Sequence, residues 1–149
     1  MKKIALITID YPPQQGGVAR YLWNLAKALG SSTVTVFVDR THPDSIDAPA
    51  EKIRLFAPGP FGWWISIFQM WAMRGRGYDG IMVSHVLPLG TAAMIARYFG
   101  GVPYIVLLHG LDIRLAKKSR IKQWLFRKII KKAKLVLVNS QRAGEELHS

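Results

Sequence analysis

The chain has 149 residues, half of them hydrophobic, and a formal net charge of +12 from 21 Lys and Arg against 9 Asp and Glu. This length suits one domain of ordinary size, and the hydrophobic content excludes a disordered chain. The absence of cysteine excludes disulfides, thiolate metal sites and cysteine nucleophiles, while the charge indicates a polyanionic neighbour, either nucleic acid or an anionic membrane surface.

The N-terminal residues do not follow the pattern of a secretory signal peptide. The longest apolar stretch, residues 63–73, is interrupted by Ser66 and Gln69. It falls short of the roughly 18–20 residues that a membrane span requires. We therefore expect a protein that is soluble or attached to a membrane surface, and not an integral one.

Short apolar runs alternate with helix-length segments along the chain. Strands are predicted at residues 4–9, 33–38, 52–56, 80–85, 104–109 and 135–138, and helices at residues 20–29, 61–74, 91–99, 120–133 and 141–147. Residues 40–51 are predicted to form a loop. Strands that alternate with helices indicate βαβ units. We predict one α/β domain over residues 1–149, a doubly wound, mostly parallel sheet with helices on both faces.

Polar residues follow several of the predicted strands. In doubly wound sheets, ligands bind beyond the carboxyl ends of the strands, near the point where the strand order reverses. The polar residues at these ends are Asp10, Ser84, His85, His109, Asp112 and Ser140. Because separate strands bring them to one edge of the sheet, we predict a substrate-binding site there.

The loop between the first strand and the first helix contains two prolines and then Gly16 and Gly17. Glycines allow backbone N–H groups to approach a ligand closely, and a helix N-terminus attracts anions. The spacing matches neither the dinucleotide-binding glycine motif nor the lysine-containing phosphate loop. We interpret the loop as a phosphate-binding site, with a plain tight turn as the alternative.

His109, Gly110 and Asp112 follow the fifth strand. A neutral imidazole exchanges hydrogen bonds with a ligand hydroxyl, and a carboxylate orients a donor or binds a hydroxyl itself. The alternative is a structural histidine at the strand end. The four histidines and the scattered acids lack the spacing of metal ligands, so we expect neither a metal nor a cofactor.

Four motifs resemble, in the same order and across nearly the whole chain, those of the family-four retaining glycosyltransferases. They are DYPPQQGGVARYL from Asp10, followed by NLAKAL; YDGIMVSH ending at His85; LHGLD around His109; and VNS ending at Ser140. The resemblance implies the Rossmann-like, acceptor-side N-terminal half of the GT-B architecture. A nucleotide-sugar then binds as co-substrate in the cleft between this half and a second one.

The resemblance also implies roles for individual residues. Gly16 and Gly17 would approach the donor diphosphate and sugar, His109 would contact a sugar hydroxyl, and Asp112 would support that region. The family's nucleotide-holding groups belong to a C-terminal domain that these residues do not include, and its N-terminal half continues into a further strand. We therefore expect a truncated half that is inactive alone, with a non-catalytic subunit of a split transferase as the alternative.

Two segments indicate contact with an anionic membrane. Residues 114–134 hold ten of the 21 basic residues, and residues 61–71 contain three tryptophans and two phenylalanines. Basic helices and interfacial tryptophans favour the headgroup region of anionic bilayers. The predicted membrane-binding residues are Trp63, Trp64, Trp71, Arg120, Lys122, Arg127 and Lys131.

The implied location is cytoplasmic, at the inner face of the cell membrane, with a glycan or lipid-linked acceptor. The alternative for residues 120–133 is a solvated helix whose apolar side, including Ile121 and Trp124, packs on the sheet. Residues 61–74 would then be buried against the sheet and a partner domain. Nucleic acid is a weaker candidate partner, because the aromatic residues are not interleaved with the basic ones and no nucleic-acid-binding motif is present.

Overall fold

The computed structural model describes residues 2–44, 50–57, 59 and 61–138. Its strands are β1 (Ile4–Ile7), β2 (Val34–Asp39), β3 (Glu51–Ile53), β4 (Gly80–Val83), β5 (Tyr104–Leu108) and β6 (Leu135–Val138). Its helices are α1 (Gly17–Leu29), α2 (Trp64–Ala72), α3 (Thr91–Tyr98), α4 (Gly110–Lys117) and α5 (Arg120–Lys132). A π-type turn, Val86–Gly90, leads from β4 into α3.

The six strands form one parallel sheet in the order β3-β2-β1-β4-β5-β6. Ile4 of β1 pairs with Val34 of β2 on one side and with Gly80 of β4 on the other. The order reverses between β1 and β4, so the crevice that doubly wound folds use for ligands opens beyond the ends of these two strands. The predicted α/β class is confirmed.

Successive side chains of each strand point to opposite faces of the sheet, which gives the domain two apolar cores. Leu6 of β1 lies in the core that Leu22 of α1 covers. Ile7, the next residue, lies in the opposite core together with Met70 of α2 and Ile129 of α5. Helices therefore cover both faces, as predicted.

Several strands are shorter than predicted, and side-chain hydrogen bonds explain where they end. β1, β4 and β5 stop one or two residues early, before the polar residues that follow them. β3 ends at Ile53 instead of residue 56. The backbone N–H groups of Leu55 and Phe56 donate to Asp39 Oδ2, at 2.8 and 3.3 Å, so a carboxylate takes the place of a neighbouring strand.

Four helices differ from their predicted bounds, α3 and α5 by one residue each at the C-terminal end, and one helix was missed. α1 begins at Gly17 instead of residue 20, and α2 runs over Trp64–Ala72 instead of residues 61–74. Residues 110–117 were not predicted as a helix, yet they form α4 and bury Ile113 and Ala116. The predicted helix at residues 141–147 lies outside the described residues.

The turn after β4 is packed tightly against α5. A Cβ atom placed on Gly90 would lie 3.0 Å from Ile129 Cγ2, closer than almost all real contacts of that kind. The absence of a side chain at Gly90 therefore lets α5 approach the end of β4.

Candidate functional site

Six side chains gather at the carboxyl ends of β1, β4 and β5, and we call them the edge cluster. They are Thr8, Asp10, Ser84, His85, His109 and Asp112. Five of the six predicted edge residues therefore come together at the reversal point of the strand order. The sixth, Ser140, lies outside the described residues.

A continuous hydrogen-bond network links the ends of β1 and β4. Ser84 Oγ donates to Thr8 Oγ1 at 2.7 Å and lies 2.8 Å from His85 Nδ1. His85 Nε2 lies 3.2 Å from Asp10 Oδ2. Thr8 and Ser84 are fully buried, whereas the Asp10 side chain is 38% exposed. The network thus extends from the core to a carboxylate that a ligand can reach.

His109 stands at the end of β5, beside two other rings. Its ring centroid lies 6.2 Å from that of His85 and 6.1 Å from that of Tyr21 on α1. Burial, and to a smaller extent the charge of His85, lower the pKa of His109 from 6.5 to about 4, with Asp10 partly opposing both effects. At neutral pH His109 is therefore an uncharged imidazole, which both donates and accepts hydrogen bonds.

Asp112 is buried and links the segments that follow β4 and β5. Its Oδ2 accepts the backbone N–H of His109 at 3.1 Å, and its Oδ1 accepts that of Val86 at 3.3 Å. His109 and Asp112 form a capping box at the start of α4. Burial raises the pKa of Asp112, against these hydrogen bonds and the His85 charge, which lower it. This geometry suits a residue that positions His109.

Gly16 and Gly17 begin α1 beside a groove of about 730 Å³. Cβ atoms placed on either glycine would meet nothing within 4 Å, so packing does not require glycine there. Arg20, exposed on the next turn, also lines the groove. A helix N-terminus, a nearby cation and open space are the features that an anion requires.

This groove and the edge cluster are adjacent but distinct. Pro12, Arg20 and Trp23 line the groove, and no member of the edge cluster does. Tyr21, on the same turn of α1, contacts His109 instead. The first turns of α1 therefore separate a candidate anion site from a candidate hydroxyl-binding site.

Within the described ranges, no three His, Asp or Glu side chains are grouped so that they could hold a metal ion. None of the helices described here is long and apolar enough to cross a bilayer.

The tryptophans predicted to contact a membrane divide into two groups. Trp64 and Trp71 are half-exposed on the outer side of α2, at 50% and 52%. Trp63 instead packs against the core, so its predicted membrane role is not supported. With Phe61 and Phe68, also exposed, Trp64 and Trp71 make up what we call the aromatic face.

The basic helix α5 is only partly packed on the sheet. Its predicted membrane-binding residues, Arg120, Lys122, Arg127 and Lys131, are all exposed. Phe126 and Ile129 are buried, as the apolar stripe predicted, but Ile121 and Trp124 are 76% and 57% exposed. Assigning these two to the packed side was wrong, because they lie on the part of the helix that faces away from the core.

Three residues of the site and of the groove beside it, Arg20, Thr8 and Tyr21, were not singled out in the sequence. Thr8 lies inside an apolar run, and only its polarity within that run could have marked it. Tyr21 could not have been recognised, because its contact with His109 depends on how α1 crosses the sheet.

A family model described as Glycosyltransferase Family 4 matches residues 15–149, which include all of the described chain from Gln15 onward. The match covers Gly16, Gly17, His85, His109 and Asp112. Among curated proteins, none matches the chain significantly.

Proposed function

The chain belongs to glycosyltransferase family 4, and from that premise we propose that it forms one half of an enzyme that transfers a sugar from a nucleotide-sugar donor to a glycan or lipid-linked acceptor. The observation that supports this most directly is the edge cluster beside the start of α1. It offers a half-exposed carboxylate and a neutral histidine within reach of an open helix N-terminus.

Each part of the edge suits a different part of a nucleotide-sugar. Gly16, Gly17 and Arg20 face the diphosphate, because N–H dipoles and a cation stabilise anions. Asp10 accepts a sugar hydroxyl, and neutral His109 exchanges a hydrogen bond with another. Asp112 holds His109 in place.

Departure of a nucleoside diphosphate needs more positive charge than this edge provides. One helix N-terminus contributes about 0.3–1 kcal/mol near a surface, against the ~8 kcal/mol or more of barrier lowering that enzymes achieve. We propose that a second, C-terminal α/β domain supplies the remaining donor contacts, and that the reaction proceeds with retention. A non-catalytic subunit of a split transferase is the alternative arrangement.

Heteronuclear NMR of the 149-residue chain tests the donor-binding part of this proposal. UDP-glucose and GDP-mannose serve as probes, with glucose and mannose as controls for the phosphate. We expect weak binding that shifts the amide signals of Gly16, Gly17 and His109, and no turnover. Unchanged signals at these residues with both probes would refute a donor site here, and turnover by the isolated chain would refute the need for a second domain.

We also propose that the protein works at the inner, cytoplasmic face of the cell membrane. The aromatic face and the exposed basic residues of α5 support this, because tryptophan prefers the headgroup boundary and each basic residue near an anionic surface contributes about 1 kcal/mol. Flotation with phosphatidylglycerol and phosphatidylcholine vesicles provides the test. Binding to the anionic vesicles alone is expected, and binding to neither would refute it.

A further inference from the structure

The hydrogen atoms of the network between β1 and β4 can be assigned one at a time, starting from Thr8. Thr8 Oγ1 lies 3.0 Å from the backbone carbonyl oxygen of Asp10, which can only accept. The single hydroxyl hydrogen of Thr8 is therefore used there. Thr8 Oγ1 must in turn accept from the backbone N–H of Asp10, at 3.0 Å, and from Ser84 Oγ, at 2.7 Å.

The same reasoning continues to His85. Ser84 has one hydroxyl hydrogen, which it donates to Thr8, so its Oγ accepts from His85 Nδ1 at 2.8 Å. On the other side of the ring, His85 Nε2 faces Asp10 Oδ2 at 3.2 Å, and an ionised carboxylate only accepts. With Asp10 ionised, every contact in this network is satisfied when both ring nitrogens carry a hydrogen.

We propose that Thr8 and Ser84 are positioning residues that hold His85 as an imidazolium paired with Asp10, so that this pair is a pH-sensitive element of the ligand-binding edge. The charged histidine balances the Asp10 carboxylate and fixes its direction. Loss of the ring proton leaves an uncompensated negative charge at the edge. For the consequence on ligand binding, the inference rests on the proposed function: binding of an anionic sugar nucleotide weakens as His85 loses its proton.

Three titratable side chains surround His85 among the described residues. Asp10 lies on the exit from β1, His109 at the end of β5, and Asp112 on α4. His109 is neutral above about pH 4, because burial lowers its pKa to that value, so it does not compete for the positive charge. The other two groups, Asp10 and Asp112, are acidic.

Ring-nitrogen NMR of ¹⁵N-histidine-labelled protein tests the assignment without any ligand. At about pH 6, the wild-type His85 is expected to show two protonated ring nitrogens. Thr8→Val keeps the shape of the side chain but removes the oxygen that accepts the Ser84 hydrogen. The Ser84 hydroxyl is then free to donate to His85 Nδ1 instead. The ring should shift toward the neutral form with hydrogen on Nε2 alone, and its charged-to-neutral ratio should fall at least about threefold.

Ser84→Ala and Thr35→Val complete the set. Ser84→Ala removes the acceptor of the Nδ1 hydrogen, so the charged fraction should again fall. Thr35→Val makes the same substitution on β2, away from the network, and should leave the ring unchanged. A wild-type ring that is neutral at this pH overturns the proposal, as do unchanged rings in Thr8→Val and Ser84→Ala. If both variants fail to fold, the wild-type measurement decides by itself.

A ligand titration tests the consequence for binding separately from the protonation of His85. UDP-glucose is added to the wild-type chain at pH values on either side of the His85 transition. Binding that weakens severalfold as the charged ring disappears supports the consequence, and binding that does not change across the transition refutes it. No binding at any pH would refute the proposed donor site, while the ring measurement would still decide the protonation of His85.

Discussion

The edge cluster buries polar side chains, whereas the aromatic face exposes apolar ones, and both arrangements are the reverse of what is usual in a folded protein. At the edge, Thr8, Ser84 and Asp112 are polar yet buried, and their hydrogen bonds join one strand end to another. On α2, Trp64 and Phe68 are apolar yet exposed. Buried polar groups are costly unless they are paired, and exposed aromatic groups gain nothing within the chain. The polar groups at the edge are paired and so avoid that cost, whereas the exposed rings of α2 contribute little to folding.

The two regions also differ in how tightly their side chains are held. Every edge residue has defined partners at the end of a strand, which suits recognition of one ligand in one orientation. On α2, Trp64 and Phe68 contact each other edge-to-face at 5.7 Å, and the Trp71 indole N–H donates to the backbone carbonyl of Phe99 at 3.1 Å, but all three side chains remain at least half exposed. Such a surface suits a partner without fixed shape, such as a bilayer. Substitutions in the two regions should consequently act on different properties.

The largest effect is expected from Asp112→Ala. The substitution leaves the buried backbone N–H groups of His109 and Val86 without their acceptor and removes the cap of α4. We expect a loss of about 2–3 kcal/mol in the free energy of unfolding, measured by urea denaturation. Asp44→Ala, which removes an exposed carboxylate, is the control and should not change stability measurably. Equal stability of the two variants would show that the edge is not held as tightly as described.

The next effect concerns acid stability and His109. Its pKa in the folded protein, about 4, lies below the ordinary 6.5, so the unfolded chain binds the proton more readily. The stabilising contribution is therefore complete above about pH 6.5 and is lost as the pH falls toward 4.

His109→Asn keeps a good N-cap residue but removes the titrating ring. Between about pH 6.5 and 4, we expect the wild type to lose about 1–2 kcal/mol more than this variant, after allowing for solvent screening. Urea denaturation across this range measures the difference. Parallel pH profiles for the two proteins would contradict the buried neutral histidine.

Neighbouring tryptophans provide the sharpest test of the aromatic face. Trp64→Ser should weaken binding to phosphatidylglycerol vesicles about five- to tenfold, because an exposed ring that enters the headgroup region is lost. Its free energy of unfolding should change by less than about 0.5 kcal/mol. Trp63→Ser should do the reverse, with a loss of about 1–2 kcal/mol in stability and nearly normal vesicle binding, because Trp63 packs on the core. The same result for both variants would remove the distinction between the two rings.

The smallest effect on stability is expected at Gly17. A Cβ atom there meets nothing within 4 Å, so Gly17→Ala should leave the free energy of unfolding within about 0.5 kcal/mol of the wild type. If a diphosphate approaches this backbone, the added methyl group should still weaken UDP-glucose binding. NMR titration measures it, with Gly75→Ala, a glycine remote from the edge, as the control. Unchanged affinity in Gly17→Ala would place the anion elsewhere.

The sequence pattern predicted the sheet, most helices and the edge where polar residues gather, because these follow from hydrophobic periodicity and from the geometry of βαβ units. It failed where a single side chain replaces a backbone interaction. Asp39 ends β3 by accepting two backbone N–H groups. Asp112 helps to start α4 through a capping box with His109, although histidine is not a preferred N-cap residue. Periodicity likewise could not separate Trp63 from Trp64, because α2 is apolar on nearly every side and only its contact with the sheet distinguishes them.

The close approach at Gly90 links helix α5 to the edge cluster. The turn Val86–Gly90 is held at its start by Asp112, through the Val86 N–H, and its last residue has little room for a side chain beside Ile129 of α5. Asp112 also accepts the backbone N–H of His109, so one carboxylate connects this turn to the residue that follows β5. The basic helix α5 and the strand ends of the edge cluster are therefore joined through one short turn.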